Sequence, residues 1–163
     1  MINRIKPHTS FTGDVESGLA KMLVVGMGKQ RGAKLAHQYA HDWSFRGMLP
    51  AITEVILDAV CVIGGIAVIE DQHDMTAAIV GVPPSELLTA EAELLTEAYA
   101  LLPKLPFESL DVVIFDQMGK DISGAGLDTN VTGRNYVMGE TARAEPTIRR
   151  LSVKPIRRCR RRG

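Results

Sequence analysis

Residues 61–70, CVIGGIAVIE, decide the fold. The segment is short, rich in β-branched residues and punctuated by glycine, which is the composition of a strand buried in a sheet. Residues 76–82 (TAAIVGV) read as a second strand, and the polar residues 71–74 (DQHD) as the turn of a hairpin joining the two. Working back toward the N-terminus, residues 45–59 are an amphipathic helix with Met48, Ile52, Ile56 and Val60 at near-helical spacing. Residues 33–43 are another, placing His37 and His41 one turn apart on one face. Residues 16–26 (ESGLAKMLVVG) are a third, interrupted by Gly26 and Gly28. Residues 2–5 form a short β segment that stops at Lys6-Pro7, because a residue before proline is driven to extended conformations, and His8 is left in a loop. Toward the C-terminus, Pro83-Pro84 followed by Ser85 and Glu86 opens a helix over residues 86–102, closed by Pro103. Residues 110–115 read as a further buried strand, and after Asp116 the pattern dissolves into the glycine-rich loop GKDISGAGLDTNVTG. The order of elements predicts an α/β fold with a mixed sheet and flanking helices.

At 163 residues, 45% hydrophobic and 23% charged, with 15 Gly and 8 Pro, the chain is one ordinary domain or a piece of something larger. That composition excludes the disordered, collagenous and coiled-coil classes. Its longest apolar stretch, residues 59–69, is shorter than the roughly 18 residues a membrane helix needs. Cys61 and Cys159 cannot form a disulfide framework and fit a reducing compartment; with no signal-peptide pattern after Met1, a cytoplasmic location without membrane contact is expected. The net charge of zero hides a division: residues 1–142 carry 10 Lys+Arg against 18 Asp+Glu, whereas residues 143–163 carry 9 against 1. An arginine run such as Arg157, Arg158, Arg160, Arg161 and Arg162 is ordinarily a nucleic-acid arm. The acidic body and the 5% aromatic content argue against a dedicated nucleic-acid surface here.

Groups able to do chemistry concentrate at the front: His8, His37 and His41 accompany Lys21 within the first 43 residues, while His73 falls in the hairpin turn. Imidazole is the commonest metal ligand and the usual base near neutral pH, so these histidines could serve either role; a solvated helix face is the plainer reading of His37 and His41. Residues 26–32 (GMGKQRG) resemble a phosphate-cradling loop, with Lys29 and Arg31 adding charge. Their GxGxxxG spacing after a helix departs from the dinucleotide fingerprint, which favours a helix cap and turn. Lys21 is by default a surface lysine lying along an apolar helix, or else a buried amine able to anchor a covalent cofactor.

The stretch NRIKPHTSFTGDVESGLAKMLVVGMGKQRGAKLAH, residues 3–37, resembles the central part of the nickel-dependent lactate racemase family, in particular a branch with a KPHT(D/S)F...ESGL.KML..G.GK..GA motif. Weaker resemblance runs through the VPP...E helix, the LPF..LDVVI strand and the GK.ISG.G.D.NV.GR loop to about Arg134. The resemblance implies that Lys21 is joined through a thioamide to a nickel-pincer nucleotide (a pyridinium-3-thioamide-5-thiocarboxylate mononucleotide holding Ni). It implies that His37, sixteen residues on, ligates the nickel, and that Ser17 and Gly18 belong to the family's SG..K cofactor-binding pattern. It makes His8 the acid/base on the substrate hydroxyl, although the His8 to Lys21 interval is longer than in lactate racemase itself. His41 has no matching role. The implied reaction moves a hydride from a 2-hydroxy acid to the cofactor, gives a 2-oxo acid, and returns the hydride to the other face.

Departures from the family set further expectations. The family has a region before the counterpart of Met1 that supplies phosphate contacts and a second catalytic histidine, and a substantial C-terminal domain. Its substrate-binding Gln and Lys have no evident match near Asp128 and Asn130. The chain is therefore expected to be a central fragment: an incomplete N-terminal α/β domain over residues 1–134, and an irregular basic tail over residues 135–163 produced by a frameshift or truncation. A small 2-hydroxy-acid substrate and the cofactor-synthesis enzymes are the expected partners. The competing classes are an inactive homologue lacking the cofactor and, less favoured, a nucleic-acid-binding protein acting through its tail.

Overall fold

The structure, a computed structural model, describes residues 1–134 and 146–153, without the side chains of His37, Ala40, His41, Asp42 and Trp43. Strand β1 (Ile2–Arg4) runs parallel to β2 (Gly65–Glu70), which pairs antiparallel with β3 (Thr76–Val82), in the order β1-β2-β3. This is the mixed sheet with flanking helices expected from the sequence. Between β1 and β2 lie a short helix α1 (Leu19–Lys21), a π-helical turn (Met22–Gly26) and the long helix α2 (Lys29–Ala59). Helix α3 (Leu87–Ala100) follows β3 through a 3-10 turn (Pro84–Glu86) that begins at the second proline of the pair.

Several boundaries move from their sequence positions for identifiable reasons. The helix expected from Glu16 starts instead at Leu19, because Ser17 pairs with Lys6 in an antiparallel bridge and Gly18 is fully extended. The two helices expected over residues 33–43 and 45–59 belong to α2, whose backbone breaks between them at Ser44 (φ 56°, ψ 150°). Strand β2 begins at Gly65 and not at Cys61; Ile63 is 94% exposed and the segment before Gly65 is a connection. The expected hairpin turn is present. The Asp71 carboxylate accepts the N–H groups of His73 (2.8 Å) and Met75 (3.0 Å), and Asp74 takes the left-handed conformation at φ 59°. His73 is thereby an exposed turn residue.

The alternation of β2 buries Gly65, Ala67 and Ile69 on one face. Against that face pack Leu19, Leu23, Leu49, Leu87 and Leu95 from the helices, together with Ile5, Phe11 and Val15. Each fully buried Leu or Ile supplies on the order of 1.5–3 kcal/mol. Gly65 is required there, since a Cβ would lie 2.6 Å from Leu19 Cδ1. Among the described residues no helix is long and apolar enough to cross a membrane.

The chain divides into two compact units, Met1–Pro103 and Lys104–Gly163. The break falls where Pro103 and Pro106 end the helical run. In the second unit β4 (Ser109–Phe115) pairs in parallel with β5 (Thr147–Val153). The tail expected to be irregular therefore contains a strand: Ile148, Leu151 and Val153 pair with Leu110, Val113 and Phe115 despite the intervening arginines. Its remaining residues, 135–145 and 154–163, lie outside the described residues. Strand β4, expected to be buried, leaves Val112 and Ile114 exposed in this two-stranded sheet. Helix α4 (Thr129–Thr132) is capped by Asp128, whose carboxylate accepts the Asn130 N–H (2.8 Å), and ends at Gly133 with φ 67°. Arg134 binds the β5 backbone, donating to the carbonyls of Ile148 (2.6 Å) and Arg149 (2.8 Å).

A single methyl added at Gly65 should show how closely α1 is held to the sheet. Gly65→Ala is expected to destabilise the chain by about 1–3 kcal/mol through overpacking against Leu19. Gly81→Ala, with nothing within 4 Å of the new methyl, should stay within about 0.5 kcal/mol of the parent. Denaturant midpoints of the two variants measure the difference.

Candidate functional site

His8 lies in a loop whose ends are tied together: Lys6 donates its N–H to the Ser17 carbonyl at 2.9 Å. The loop closes around one carboxylate. Glu16 is 1% exposed; its Oε2 accepts the His8 N–H at 2.6 Å, and its Oε1 accepts the Gly13 N–H at 3.0 Å and the Tyr99 hydroxyl at 2.7 Å. A buried carboxylate is tolerated only when its oxygens are bonded, and here the bonds fix the loop and join it to α3. The His8 ring stacks on Phe11 at 4.3 Å, and Phe11 on Phe45 at 5.2 Å. His8 Nδ1 accepts the Ser10 N–H at 3.1 Å, so the neutral ring carries its proton on Nε2.

Ser17 and Gly18 lead into α1, which ends at Lys21. The Gly18 carbonyl accepts from Asn3 Nδ2 at 2.7 Å. No side chain fits at Gly18: a Cβ would stand 2.6 Å from Ile5 Cδ1 and would strike the Glu91 carboxyl. Glu91 reaches down from α3, and its Oε2 accepts the Ala20 N–H at 2.8 Å. Its Oε1 is buried without a hydrogen-bond partner among the described residues. Burial pushes the Glu91 carboxyl up to about 7, against the pull of the Ala20 and Leu19 N–H groups. Lys21, the last residue of α1, is half-buried, and burial together with the Lys6 ammonium holds its amine below the usual lysine value. The chain then passes into the π-helical turn, a distortion often found beside functional groups.

Of the residues singled out in the sequence, the structure places Ser17 and Gly18 on the extended backbone just before α1, Lys21 at the end of α1, and His8 in the loop tied at Ser17. His37 and His41 fall in α2, and their side chains lie outside the described residues. Residues 26–32 are the joint between the π-helical turn and α2: Gly32 donates to the Gly28 carbonyl at 2.7 Å, and Lys29 and Arg31 are exposed. This is the cap-and-turn arrangement. Sequence reasoning missed Glu16, Tyr99 and Glu91. A signal for Glu91 was present, since it takes the middle place of a buried stripe, Leu87, Glu91, Leu95 and Ala98, on α3. For Glu16 and Tyr99, 83 residues apart, none was.

Attachment of a cofactor through a thioamide needs an unprotonated amine, and burial together with the Lys6 ammonium moves Lys21 in that direction. Among the described residues no group of three or more His, Cys, Asp or Glu converges as a metal site. No known protein family matches the chain, and neither a curated protein nor a solved structure does.

Removing one of the two influences on the Lys21 amine has a definite sign. Lys6→Ala deletes a positive neighbour, so the Lys21 amine should rise toward the ordinary value of 10.5. Labelling of Lys21 by an amine-selective reagent should then be slower at pH 8–9, as measured by peptide mass mapping. An unchanged rate would show that burial alone sets the amine.

Proposed function

We propose that this chain carries the cofactor-lysine region of a nickel-pincer-dependent racemase or epimerase of small 2-hydroxy acids, acting in the cytoplasm through a 2-oxo acid. The observation that supports the reading most is the position of Lys21, half-buried at the end of a turn held from α3 through the Ala20 N–H, where burial and the Lys6 ammonium lower its amine from the usual lysine value. The motif of residues 3–37 supplies the cofactor class. When bound, the nickel-pincer nucleotide would supply a hydride acceptor and donor.

The chain's own residues would act around it. Lys21 would hold the group, and His37 is the nickel ligand in this reading. Gly18, whose missing side chain lets the Glu91 carboxyl come close, keeps the Lys21 turn seated. His8 would exchange a proton with the substrate oxygen at Nε2. In the neutral ring of the structure Nε2 already bears hydrogen, because Ser10 occupies Nδ1. Taking the hydroxyl proton therefore requires the other tautomer and release of the Ser10 N–H. The aromatic stack of His8, Phe11 and Phe45 holds the ring plane through that change.

The test is to produce the chain together with the cofactor-synthesis enzymes and nickel, then measure its intact mass and map the peptides. An adduct confined to Lys21 and abolished by Lys21→Ala is expected. An unmodified Lys21 in a full-length version produced in the same way overturns the reading and assigns the chain to the inactive homologues that lack the cofactor.

A further inference from the structure

Glu91 has no part in the chemistry proposed above, and its surroundings are unusual. It stands at the centre of the apolar stripe of α3, 1% exposed, between Leu87 and Leu95. One carboxyl oxygen holds the Ala20 N–H at 2.8 Å; the other, Oε1, is sealed against Gly18 and Ile5 with no hydrogen-bond partner among the described residues. An ionised carboxylate in that position would leave one oxygen neither hydrated nor bonded, whereas a neutral carboxyl keeps the Ala20 bond at much lower desolvation cost. The backbone bond it makes belongs to the residue before Lys21.

We propose that Glu91 is a proton-operated latch on the turn that carries Lys21: docked through the Ala20 N–H while the carboxyl is neutral, and released toward water when the carboxyl ionises. The position of Gly18 makes the latch possible, since any side chain there would displace the Glu91 carboxyl. Burial is the largest influence on Glu91 and raises its carboxyl to about 7, so the latch changes state near neutral pH. The sign follows from linkage. A carboxyl whose native value is raised from 4.5 to about 7 gives a docking advantage that is complete below 4.5 and is lost as pH climbs through 7.

The charged groups on the neighbouring elements leave this balance to burial. Helix α1 offers Lys21, β2 offers Glu70, which pairs with Arg4 at 2.8 Å, and the 3-10 turn offers Glu86. Lys6 flanks Ile5, Glu16 is engaged by Tyr99, and Glu93 and Glu97 are the other acids of α3. None contributes a charge effect to Glu91, whose state is set by burial and by the Ala20 and Leu19 N–H groups.

Opening of the latch would expose Lys21 and relieve the burial that keeps its amine low, linking the reactivity of that lysine to pH. The inference does not depend on the nickel cofactor, and it is tested on the unmodified chain. Two readouts are needed: the carboxyl carbon signal of Glu91 followed by NMR from pH 4 to 9, and the exchange protection of the Ala20 amide, corrected for intrinsic rate, at pH 6 and 8. The expected results are a Glu91 midpoint near 7 and a fall of about tenfold in Ala20 protection between the two pH values. In Glu91→Gln, which keeps an acceptor oxygen but cannot ionise, the protection should be the same at both. A Glu91 midpoint below 5, or wild-type protection that does not change with pH, overturns the proposal even if the glutamine variant fails to fold.

Discussion

Two buried acidic side chains, the Glu16 carboxylate and the Glu91 carboxyl, hold the front of this protein together. Removing a carboxylate from water costs several kcal/mol unless its oxygens find donors, so each buried acid drags backbone N–H groups and hydroxyls toward itself. Glu16 gathers His8, Gly13 and Tyr99; Glu91 gathers Ala20. Both sets of bonds end on α3, which thereby becomes the frame for a segment with little regular structure of its own. The three residues of α1 could not persist as an isolated helix, because nucleation is unfavourable and so short a run has almost no internal bonding. Their conformation is imposed from outside by Glu91, by the Lys6 to Ser17 bridge and by the packing of Leu19 on Gly65.

The two acids play different parts because their bonding differs. Glu16 has both oxygens engaged and acts as a permanent tie. Glu91 has one oxygen engaged and one sealed off, and the imbalance makes it sensitive to protons. His8 is anchored by the first and Lys21 by the second. The residues on which the proposed chemistry would turn are thus fixed through separate contacts to one helix, and a change at one contact need not disturb the other.

The sheet and its helices were legible in the sequence because their signals are local. The glycine-punctuated apolar run at 61–70, the DQHD turn and the double proline before α3 each carry their own instruction. Even the break at Ser44 falls between the two helices that periodicity separates. Lys21, His8, Ser17 and Gly18 stood out through motif resemblance, but their supports did not. The stripe Leu87, Glu91, Leu95 and Ala98 points Glu91 at the core, but nothing local names the amide 71 residues earlier as its partner. Strand β5 was hidden for the opposite reason: Arg149, Arg150 and the arginine run beyond mask an aliphatic pattern at Ile148, Leu151 and Val153 that becomes a strand only through pairing with β4.

Isotope-edited NMR distances around α3 report on the two ties without perturbing them. If α3 holds the segment, cross-peaks run from the Glu91 γ-protons to the Ala20 amide and from the Tyr99 ring to the loop of residues 7–16. Absence of both sets, with the cross-strand contacts of β2 and β3 intact, would contradict it: the sheet would be folded while the segment bearing His8 and Lys21 was not held by α3.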